Sequence, residues 1–264
     1  MYYFVCVNYN NSDFTKSLVE SVIRQSHSTT VVVVDNKSKE SEVKKLDSLQ
    51  AVYPTQVKLI KSEENVGYFG GLNLGLKDLP KTRPIIVGNN DLQYDSEFLN
   101  LLESNSYPDD VLVVAPNVIT KDGYHQNPHC RSRVSERRKF LYDLYFANYF
   151  FAKILTWGSR FVNYIKGGRD NSVDQDAGYI HMGIGACYIL LPTFFEKFSE
   201  LDNKVFLYGE EAYLAGQLMS VNAKMYYDPQ LVVHHEESAT LSKVASKTKY
   251  EYMKSSYYDY KKFL

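Results

Sequence analysis

Runs of β-forming residues alternate with segments of helix length through the first 115 residues, and this alternation limits the possible folds more than any other feature. The runs read YYFVCV, TTVVVVD, VKLIKS, PIIVG and VLVVAP, and segments such as DFTKSLVESVIRQS and SEFLNLLES stand between them. This pattern predicts an α/β layer with a largely parallel sheet. TTVVVVD is apolar without alternating, which is typical of a central strand buried on both faces.

Polar residues follow four of these runs, at the point where each predicted strand ends. The four stretches run from Asn8 to Asn11, from Asp35 to Ser38, from Glu63 to Asn65 and from Asn89 to Asp91. Ligands of such sheets bind beyond the carboxyl ends of the strands. Asn, Asp and Ser also form turns and cap helices, so a single polar end predicts only a turn. Four in succession on one sheet edge favour a ligand site.

A glycine-rich stretch, NVGYFGGLNLGL, follows the third run and has the length of a helix. Each glycine inside a helix costs about 1 kcal/mol relative to alanine, so a compensating interaction is expected. Turns and caps are one explanation, and close approach of the backbone to a phosphate at a helix start is the other. The stretch is neither a P-loop nor a dinucleotide fingerprint, because the GK[ST] and GxGxxG spacings are missing.

The charge balance bears on the kind of partner. The chain has 30 Lys and Arg against 31 Asp and Glu, so no global field attracts it to nucleic acid, and an anion site must be local. The three cysteines are widely spaced and form no metal-binding pattern, which favours a reducing cytosol. The first residues read as a strand rather than a signal peptide, and no segment has the uninterrupted apolar length of a transmembrane helix.

A basic and aromatic segment covers residues 131–169. Nine Lys and Arg occur there against two acidic residues, with aromatic side chains between them, and the tail 243–264 has a similar basic and tyrosine-rich composition. Cations around aromatic rings are typical of a helix that lies on an anionic membrane. Aromatic stripes also pack inward in a core or at an oligomer contact, so both interpretations stay open.

Three further motifs lie between residues 183 and 238. GIGACYILL reads as a glycine turn leading into a strand, NKVFLYGEEAYLAGQLM as a helix, and PQLVVHHEES as a strand that ends in His234 and His235. Glu210 and Glu211 near a helix start complement the helix dipole, which is a sufficient structural explanation. Neighbouring histidines in a strand point to opposite faces, so at most one of them faces a given cleft.

The order of these motifs resembles the inverting family 2 glycosyltransferases of the rhamnosyltransferase-like group, which build bacterial surface polysaccharides such as O-antigen and capsule. The matching segments are VNYNNSDFTKSLVESVIRQS, VVVDNKSKE, ENVGYFGGLNLGL, NNDLQYDSEFLNLL, GIGACYIL, VFLYGEEAYLAGQL and VVHHEES. The resemblance implies a GT-A (Rossmann-like) fold: one mixed, mostly parallel sheet flanked by helices, with a helical, aromatic and basic C-terminal part. Residues 1–115 would bind the nucleotide sugar and residues 116–264 the acceptor.

The resemblance also assigns residues to the site. Those implied for the nucleotide sugar are Asn8, Tyr9, Asp35, Asn36, Ser38, Asn65, Gly67, Gly71, Asn73, Asn89 and Asn90. Asn89 to Asp91 stand at the DxD motif of the family, of which only the last carboxylate is kept. Asp91 and His234 would hold Mn²⁺ or Mg²⁺, with His235 as the other choice for the imidazole.

Glu211 stands where the family usually has the aspartate of an ED pair, so the resemblance implies that it is the catalytic base. Glu210 would support it or bind acceptor, and the reverse assignment stays open. The family often reads EDxDLxxR, whereas this chain reads EEAYLAGQ from Glu210 to Gln217. A glutamate base is longer by one methylene, and Gln217 replaces the usual arginine.

The implied activity is transfer of a sugar from dTDP-rhamnose or a UDP-hexose to a lipid-linked oligosaccharide. The implied location is the cytoplasmic face of the inner membrane, where the protein would be peripheral, and an oligomer is compatible with the sequence. Two alternatives stay open. One is a non-catalytic GT-A protein that binds a nucleotide sugar or a partner enzyme, and the other is a nucleotidyltransferase, which would leave the GEE and HH motifs unexplained.

Overall fold

The computed structural model describes residues 1–154, 174–236 and 246–264, which form one nine-stranded sheet with flanking helices. The strands are β1 Tyr2–Asn8, β2 Thr29–Asp35, β3 Val57–Lys61, β4 Ile85–Asn89, β5 Leu92–Tyr94, β6 Val111–Thr120, β7 Gly178–Ile180, β8 Cys187–Leu190 and β9 Lys224–His235. The helices are α1 Ser12–Ile23, α2 Glu40–Val52, α3 Tyr68–Leu76, α4 Phe98–Ser104, α5 Glu136–Ala147, α6 Pro192–Lys197, α7 Glu210–Met219 and α8 Ser246–Tyr260, and a 3₁₀ turn follows at Lys261–Phe263.

The strand order is β3-β2-β1-β4-β8-β6-β9-β5, and β7 also pairs with β9. The first four strands in this order are mutually parallel, and β6 is parallel to β9. Strand β8 lies antiparallel between β4 and β6, so a strand from late in the chain joins the two parts of the sheet. The predicted mixed, mostly parallel α/β architecture is confirmed.

Alternate residues of the central strands enter two different cores. Val31 and Val33 of β2 pack with side chains of α1, α2 and α4, whereas Val32 packs with side chains of α3, α6 and α7. Full burial of each such side chain contributes roughly 1.5–3 kcal/mol, which explains why the strand is apolar at each position from Val31 to Val34. The sheet is therefore covered on both faces, and its carboxyl edge is where polar side chains are grouped.

Helix α3 lies against β1 and β2 because its glycines remove side-chain bulk at the contact. A Cβ atom at Gly75 would lie 2.3 Å from Val5 Cγ1, and one at Gly71 would lie 2.8 Å from Val7 Cγ2. Both distances are too short for real contacts. Close packing of helix on sheet is therefore one interaction that compensates for the cost of these two glycines.

The basic and aromatic part of the chain packs against the C-terminal helix. Phe146 of α5 stacks on Tyr257 of α8 with ring centroids 4.4 Å apart, and Tyr257 donates a hydrogen bond to Asp143 at 2.9 Å. Phe140 and Phe150 face outward, each 68% exposed. Aromatic side chains of residues 131–154 thus lie partly in a core and partly on the surface.

Residues 155–169 of the predicted membrane segment and residues 243–245 of the predicted tail lie outside the described residues. Within the described ranges, no helix combines the length and apolar character that crossing a membrane requires.

Candidate active site

Asn8, Asp35 and Asn90 meet where β1, β2 and β4 end. The amide of Asn8 donates to Asp35 Oδ1 and to Ser38 Oγ, each at 3.0 Å. The amide of Asn90 donates to Asn8 Oδ1 at 3.1 Å and to Thr15 Oγ1 at 2.9 Å. Asn8, Asp35 and Asn90 are all buried, so each needs these partners. The structure joins these sequence-predicted residues in one hydrogen-bond network at the carboxyl edge of the sheet.

Asn36 holds the turn that leads into α3. Its amide nitrogen donates to Asn65 Oδ1 at 2.8 Å and to the Gly67 carbonyl at 3.0 Å, and its oxygen accepts from the Val66 N–H at 3.0 Å. Gly67 has φ +79°, and a Cβ atom there would lie 2.6 Å from the carbonyl oxygen of Phe206. Only glycine fits where the segment before α7 crosses the start of α3.

Three other predicted residues differ in their surroundings. The side-chain amide of Asn73 accepts from the Leu201 N–H at 2.9 Å and donates to the Leu201 carbonyl at 2.8 Å, so it anchors a loop. Gly71 packs on β1. The ring of Tyr9 is 41% exposed just after β1 and is available for contact with a ligand.

Asp91, between β4 and β5, and His235, the last residue of β9, face each other. Nε2 of His235 lies 3.3 Å from Oδ1 of Asp91, and both side chains are buried. Neither carboxylate oxygen of Asp91 has a hydrogen-bond partner. Nδ1 of His235 lies 2.7 Å from Oε1 of Gln126, which can only accept, so Nδ1 carries the hydrogen. Nε2 then presents a lone pair toward Asp91, and the amide of Asn89, 3.3 Å from Nε2, matches that assignment.

His235, and not the His234 implied by the resemblance, is the histidine that faces Asp91. His234 is exposed, whereas His235 is buried, because successive side chains of β9 point to opposite faces of the sheet. Gln126, which orients His235, lies outside the motifs identified in the sequence.

Asp91 and His235 fit a divalent cation as part of its ligand set. A buried carboxylate without hydrogen bonds and an imidazole lone pair repel each other unless a cation or a proton lies between them. Carboxylate oxygen and imidazole nitrogen are ligands that Mn²⁺ accepts. Among the described residues, no group of three His, Cys, Asp or Glu side chains is placed to hold a metal.

Helix α7 begins at Glu210, later than the sequence suggested, because Tyr208 and Gly209 have positive φ values of 66° and 107°. Glu210 is buried, and its Oε1 has no hydrogen-bond partner. Burial, followed by the charge of Glu211, raises the pKa of Glu210 to about 8. Both causes favour the protonated form of this carboxyl group.

Glu211 is more accessible and is held by the backbone. Its Oε1 accepts a hydrogen bond from the N–H of Gly185 at 3.2 Å. Tyr68, at the start of α3, donates to the carbonyl of the same glycine at 2.8 Å. Burial raises the pKa of Tyr68 well above its usual range, and the charges of Cys187, Glu210, Glu211 and Asp91 raise it further. The Tyr68 phenol and the Glu211 carboxylate are thus bound to the two polar groups of the same residue, Gly185.

The C-terminal segment supports the start of α7. A Cβ atom at Gly209 would lie 2.4 Å from the ring of Tyr260, so this ring packs directly on the turn that precedes Glu210. On the same helix Gln217 donates to the Glu200 carbonyl at 2.8 Å and accepts from the Asp202 N–H at 3.1 Å. Gln217, in place of the arginine of the motif, thus anchors the loop before α7.

The family profile described as Glycosyl transferase family 2 matches residues 3–164, more than half of the chain. The chain belongs to glycosyl transferase family 2. No curated protein sequence matches this family 2 chain.

Solved glycosyltransferases share the fold of this family 2 chain. GalNAc-T7, solved with UDP, GalNAc and Mn²⁺, superposes with a TM-score of 0.63 at 15% identity over 91% of this chain and 44% of its own. The mannosyltransferase PcManGT from Pyrobaculum calidifontis, solved with GDP-Man and Mn²⁺, superposes with a TM-score of 0.58 at 13% identity. The match covers 90% of this chain and 57% of PcManGT. Residues 1–349 of TarS from S. aureus superpose with a TM-score of 0.57 at 12% identity, and the match covers 89% of this chain and 60% of the TarS chain. The chain thus spans about half the length of these structures, and the likeness establishes a GT-A glycosyltransferase fold.

Proposed function

We propose that this family 2 protein is an inverting glycosyltransferase that moves a sugar from a nucleotide diphosphate sugar to an acceptor hydroxyl. The observation that carries the proposal is that one loop contacts both groups. The Ala186 carbonyl accepts from the N–H of Asn89, two residues before Asp91, at 2.9 Å, and the N–H of Gly185 donates to Glu211 Oε1 at 3.2 Å. In this proposal the group that binds the diphosphate and the group that accepts the proton are therefore connected through one backbone segment. Such a pairing is what displacement of a diphosphate by a hydroxyl needs.

The nucleotide is proposed to bind over the ends of β1 and β2. Asp35 is fixed there by two donors, the Asn8 amide at 3.0 Å and the Ser38 N–H at 3.1 Å, so its carboxylate has one orientation before a ligand arrives. Ribose hydroxyls and base N–H groups are donors that suit this acceptor. The exposed ring of Tyr9 offers a face on which a base can stack.

Asp91 and His235 are proposed to hold a divalent cation together with diphosphate oxygens of the ligand. When bound, Mn²⁺ or Mg²⁺ supplies positive charge where the leaving diphosphate gains negative charge. Asp91 is suited to this role because its two oxygens have no competing hydrogen bonds. Gln126 keeps the His235 ring in the tautomer that offers Nε2.

Glu211 is proposed as the general base. The acceptor oxygen attacks the anomeric carbon from the face opposite the diphosphate, the bond to the diphosphate oxygen breaks, and the hydroxyl proton passes to Glu211. Glu211 suits this role better than Glu210, which burial keeps protonated near neutral pH. A protonated Glu210 can instead donate a hydrogen bond to the acceptor.

The acceptor is proposed to be a lipid-linked glycan at the inner face of the cytoplasmic membrane, with dTDP-rhamnose or a UDP-hexose as the sugar source. The outward aromatic side chains of residues 140–154, beside Arg137 and Arg138, support a peripheral contact with anionic lipid. This placement would bring the lipid-linked acceptor close to the protein.

Release of nucleotide diphosphate tests the proposal. UDP-glucose, UDP-GlcNAc, GDP-mannose and dTDP-rhamnose should be incubated separately with Mn²⁺ and a synthetic lipid-diphosphate-linked sugar, using wild-type protein and Glu211→Gln. One nucleotide sugar should give release that the variant lowers by at least about 100-fold, which is within the usual range for loss of a general base. Equal release by both proteins would contradict the enzyme assignment. Mn²⁺-dependent stabilisation by a nucleotide without any release would favour the binding-protein alternative.

A further inference from the structure

We propose that Tyr68 and Gly185 position the Glu211 carboxylate. Helix α3, which belongs to the proposed nucleotide-sugar half and begins at Tyr68, would thereby set the geometry of the base. This inference rests on the proposed function, in which Glu211 takes the acceptor proton. Neither Tyr68 nor Gly185 is a residue that would touch the reacting atoms in this proposal, so both are positioning residues.

Two hydrogen bonds connect the three residues in series. The hydroxyl of Tyr68 donates to the carbonyl of Gly185 at 2.8 Å, and the N–H of Gly185 donates to Glu211 Oε1 at 3.2 Å. The two bonds use the two peptide groups that flank the Gly185 α-carbon. A change in the first bond therefore rotates the backbone that makes the second. Tyr68 is the first residue of α3 and Glu211 lies in the first turn of α7, so this chain links two separate parts of the fold.

Gly185 also leaves the room that Glu211 occupies. A Cβ atom at Gly185 would lie 2.9 Å from Glu211 Oε1 and 3.3 Å from its Cδ. Any side chain at this position would displace the carboxylate or lengthen its hydrogen bond. The close approach of backbone to carboxylate is thus possible only because residue 185 is glycine.

The loop around Gly185 is anchored at neighbouring residues and cannot shift freely. The N–H of Ile184 donates to Asn127 Oδ1 at 2.7 Å, and the carbonyl of Ala186 accepts from the N–H of Asn89 at 2.9 Å. Asn89 belongs to the strand end that precedes Asp91. The backbone that holds the proposed base is therefore tied to the backbone beside the proposed metal ligand, and Tyr68 completes the support from a third direction.

Tyr68→Phe tests the first hydrogen bond, with Tyr188→Phe as its matched control. The hydroxyl of Tyr188 donates to the carbonyl of Gly183 at 2.9 Å, so the control removes the same type of bond from the same loop without touching Gly185. Tyr68→Phe should lower kcat by about fivefold, since one neutral hydrogen bond contributes roughly 1 kcal/mol and about 1.36 kcal/mol is tenfold in rate. It should leave the KM for the nucleotide sugar within about twofold of wild type. Tyr188→Phe should change kcat by less than about threefold, in keeping with a bond that does not act on the base.

Gly185→Ala tests the space beside the carboxylate. Displacement of a catalytic group by about 1 Å costs on the order of 100-fold, so kcat should fall by about that factor. Thermal unfolding and Mn²⁺-dependent binding of the nucleoside diphosphate should be measured on the same preparations. Retained binding shows that the variant is folded; a Gly185→Ala protein that binds nucleotide and keeps wild-type kcat would overturn the inference.

Combination with Glu211→Gln separates the inference from the proposed function. If Tyr68 acts through Glu211, adding Tyr68→Phe to Glu211→Gln should lower the residual kcat by less than about twofold, because the group that it positions is already disabled. A further loss as large as in the wild-type background would overturn the positioning role while leaving Glu211 as base. An unchanged kcat in Glu211→Gln alone would instead refute the proposed function.

Discussion

Nε2 of His235 lies 3.3 Å from Oδ1 of Asp91 inside the protein, and the carboxylate has no hydrogen bond to compensate for its burial. An uncompensated buried carboxylate is costly, so the arrangement is consistent with a site that becomes stable when a cation joins it. The carboxyl ends of the strands around it carry the proposed nucleotide site. Metal and nucleotide binding are therefore expected to reinforce each other.

Replacement of the two proposed metal ligands should abolish metal-dependent activity. Asp91→Asn and His235→Ala should each lower Mn²⁺-dependent release of nucleotide diphosphate by at least about 100-fold, comparable with loss of one preorganised charge-stabilising group. His234→Ala is the matched control, since its exposed imidazole lies on the other face of the same strand and should leave activity unchanged. Calorimetric titration with Mn²⁺ and nucleoside diphosphate provides a second readout. A greater loss in His234→Ala than in His235→Ala would contradict the assignment.

The buried carboxyl group of Glu210 should make stability depend on pH. Its pKa is raised from 4.5 to about 8, so between these values the folded protein holds a proton that the unfolded chain releases. The free energy of unfolding therefore decreases as pH rises through this window and levels off above about pH 8. Glu210→Gln carries no ionisable group there, and its Tm should fall less than that of wild type between pH 5 and pH 8.5. Parallel Tm curves for the two proteins would show that the Glu210 pKa is not raised.

The packing of α3 on the sheet should be intolerant of a single methyl group. Gly75→Ala places a Cβ atom 2.3 Å from Val5 Cγ1 and should lower the free energy of unfolding by about 1–3 kcal/mol, as overpacked cores do. Leu74→Ala is the control, because Leu74 is 37% exposed on the same helix and loses less buried area. Urea unfolding of both variants measures the difference. A Gly75→Ala protein as stable as wild type would mean that α3 can move away from β1.

The outward aromatic face should contribute to lipid binding. Phe140→Ser and Phe150→Ser should each reduce co-sedimentation with phosphatidylglycerol-containing vesicles by several-fold, because an exposed phenyl ring gains about 1–3 kcal/mol on burial in the interface. Arg137→Gln with Arg138→Gln should weaken binding further at low salt. Val52→Ser is the control, since Val52 is 66% exposed on α2. Equal binding by all variants, or no binding by wild type, would remove the membrane contact.

The sheet and the polar strand ends were predictable because they depend on local patterns. A run such as TTVVVVD requires burial on both faces of the sheet. Asn8 and Asp35 lie at the same edge of the sheet because β1 and β2 are parallel. The residue types after the strands therefore indicated a site before any distance was known.

The identity of the facing histidine was not predictable, because it depends on long-range register. Strand β9 shifts its register against β6 near Pro116 and Asn117, and a shift of one residue exchanges the faces of all later side chains. His235 faces Asp91 for that reason. Tyr68, Gly185 and Gln126 were missed because each acts through contacts with distant segments that no local pattern encodes.

The position of β8 in the sheet has a consequence for biosynthesis. Strand β4 ends at Asn89, whereas its partner β8 begins at Cys187, so ribosomal synthesis exposes one apolar edge of the first four parallel strands long before that partner exists. An open strand edge of this kind pairs readily with other chains. The edge of β4 is thus expected to be prone to pairing with other chains until β8 inserts between β4 and β6.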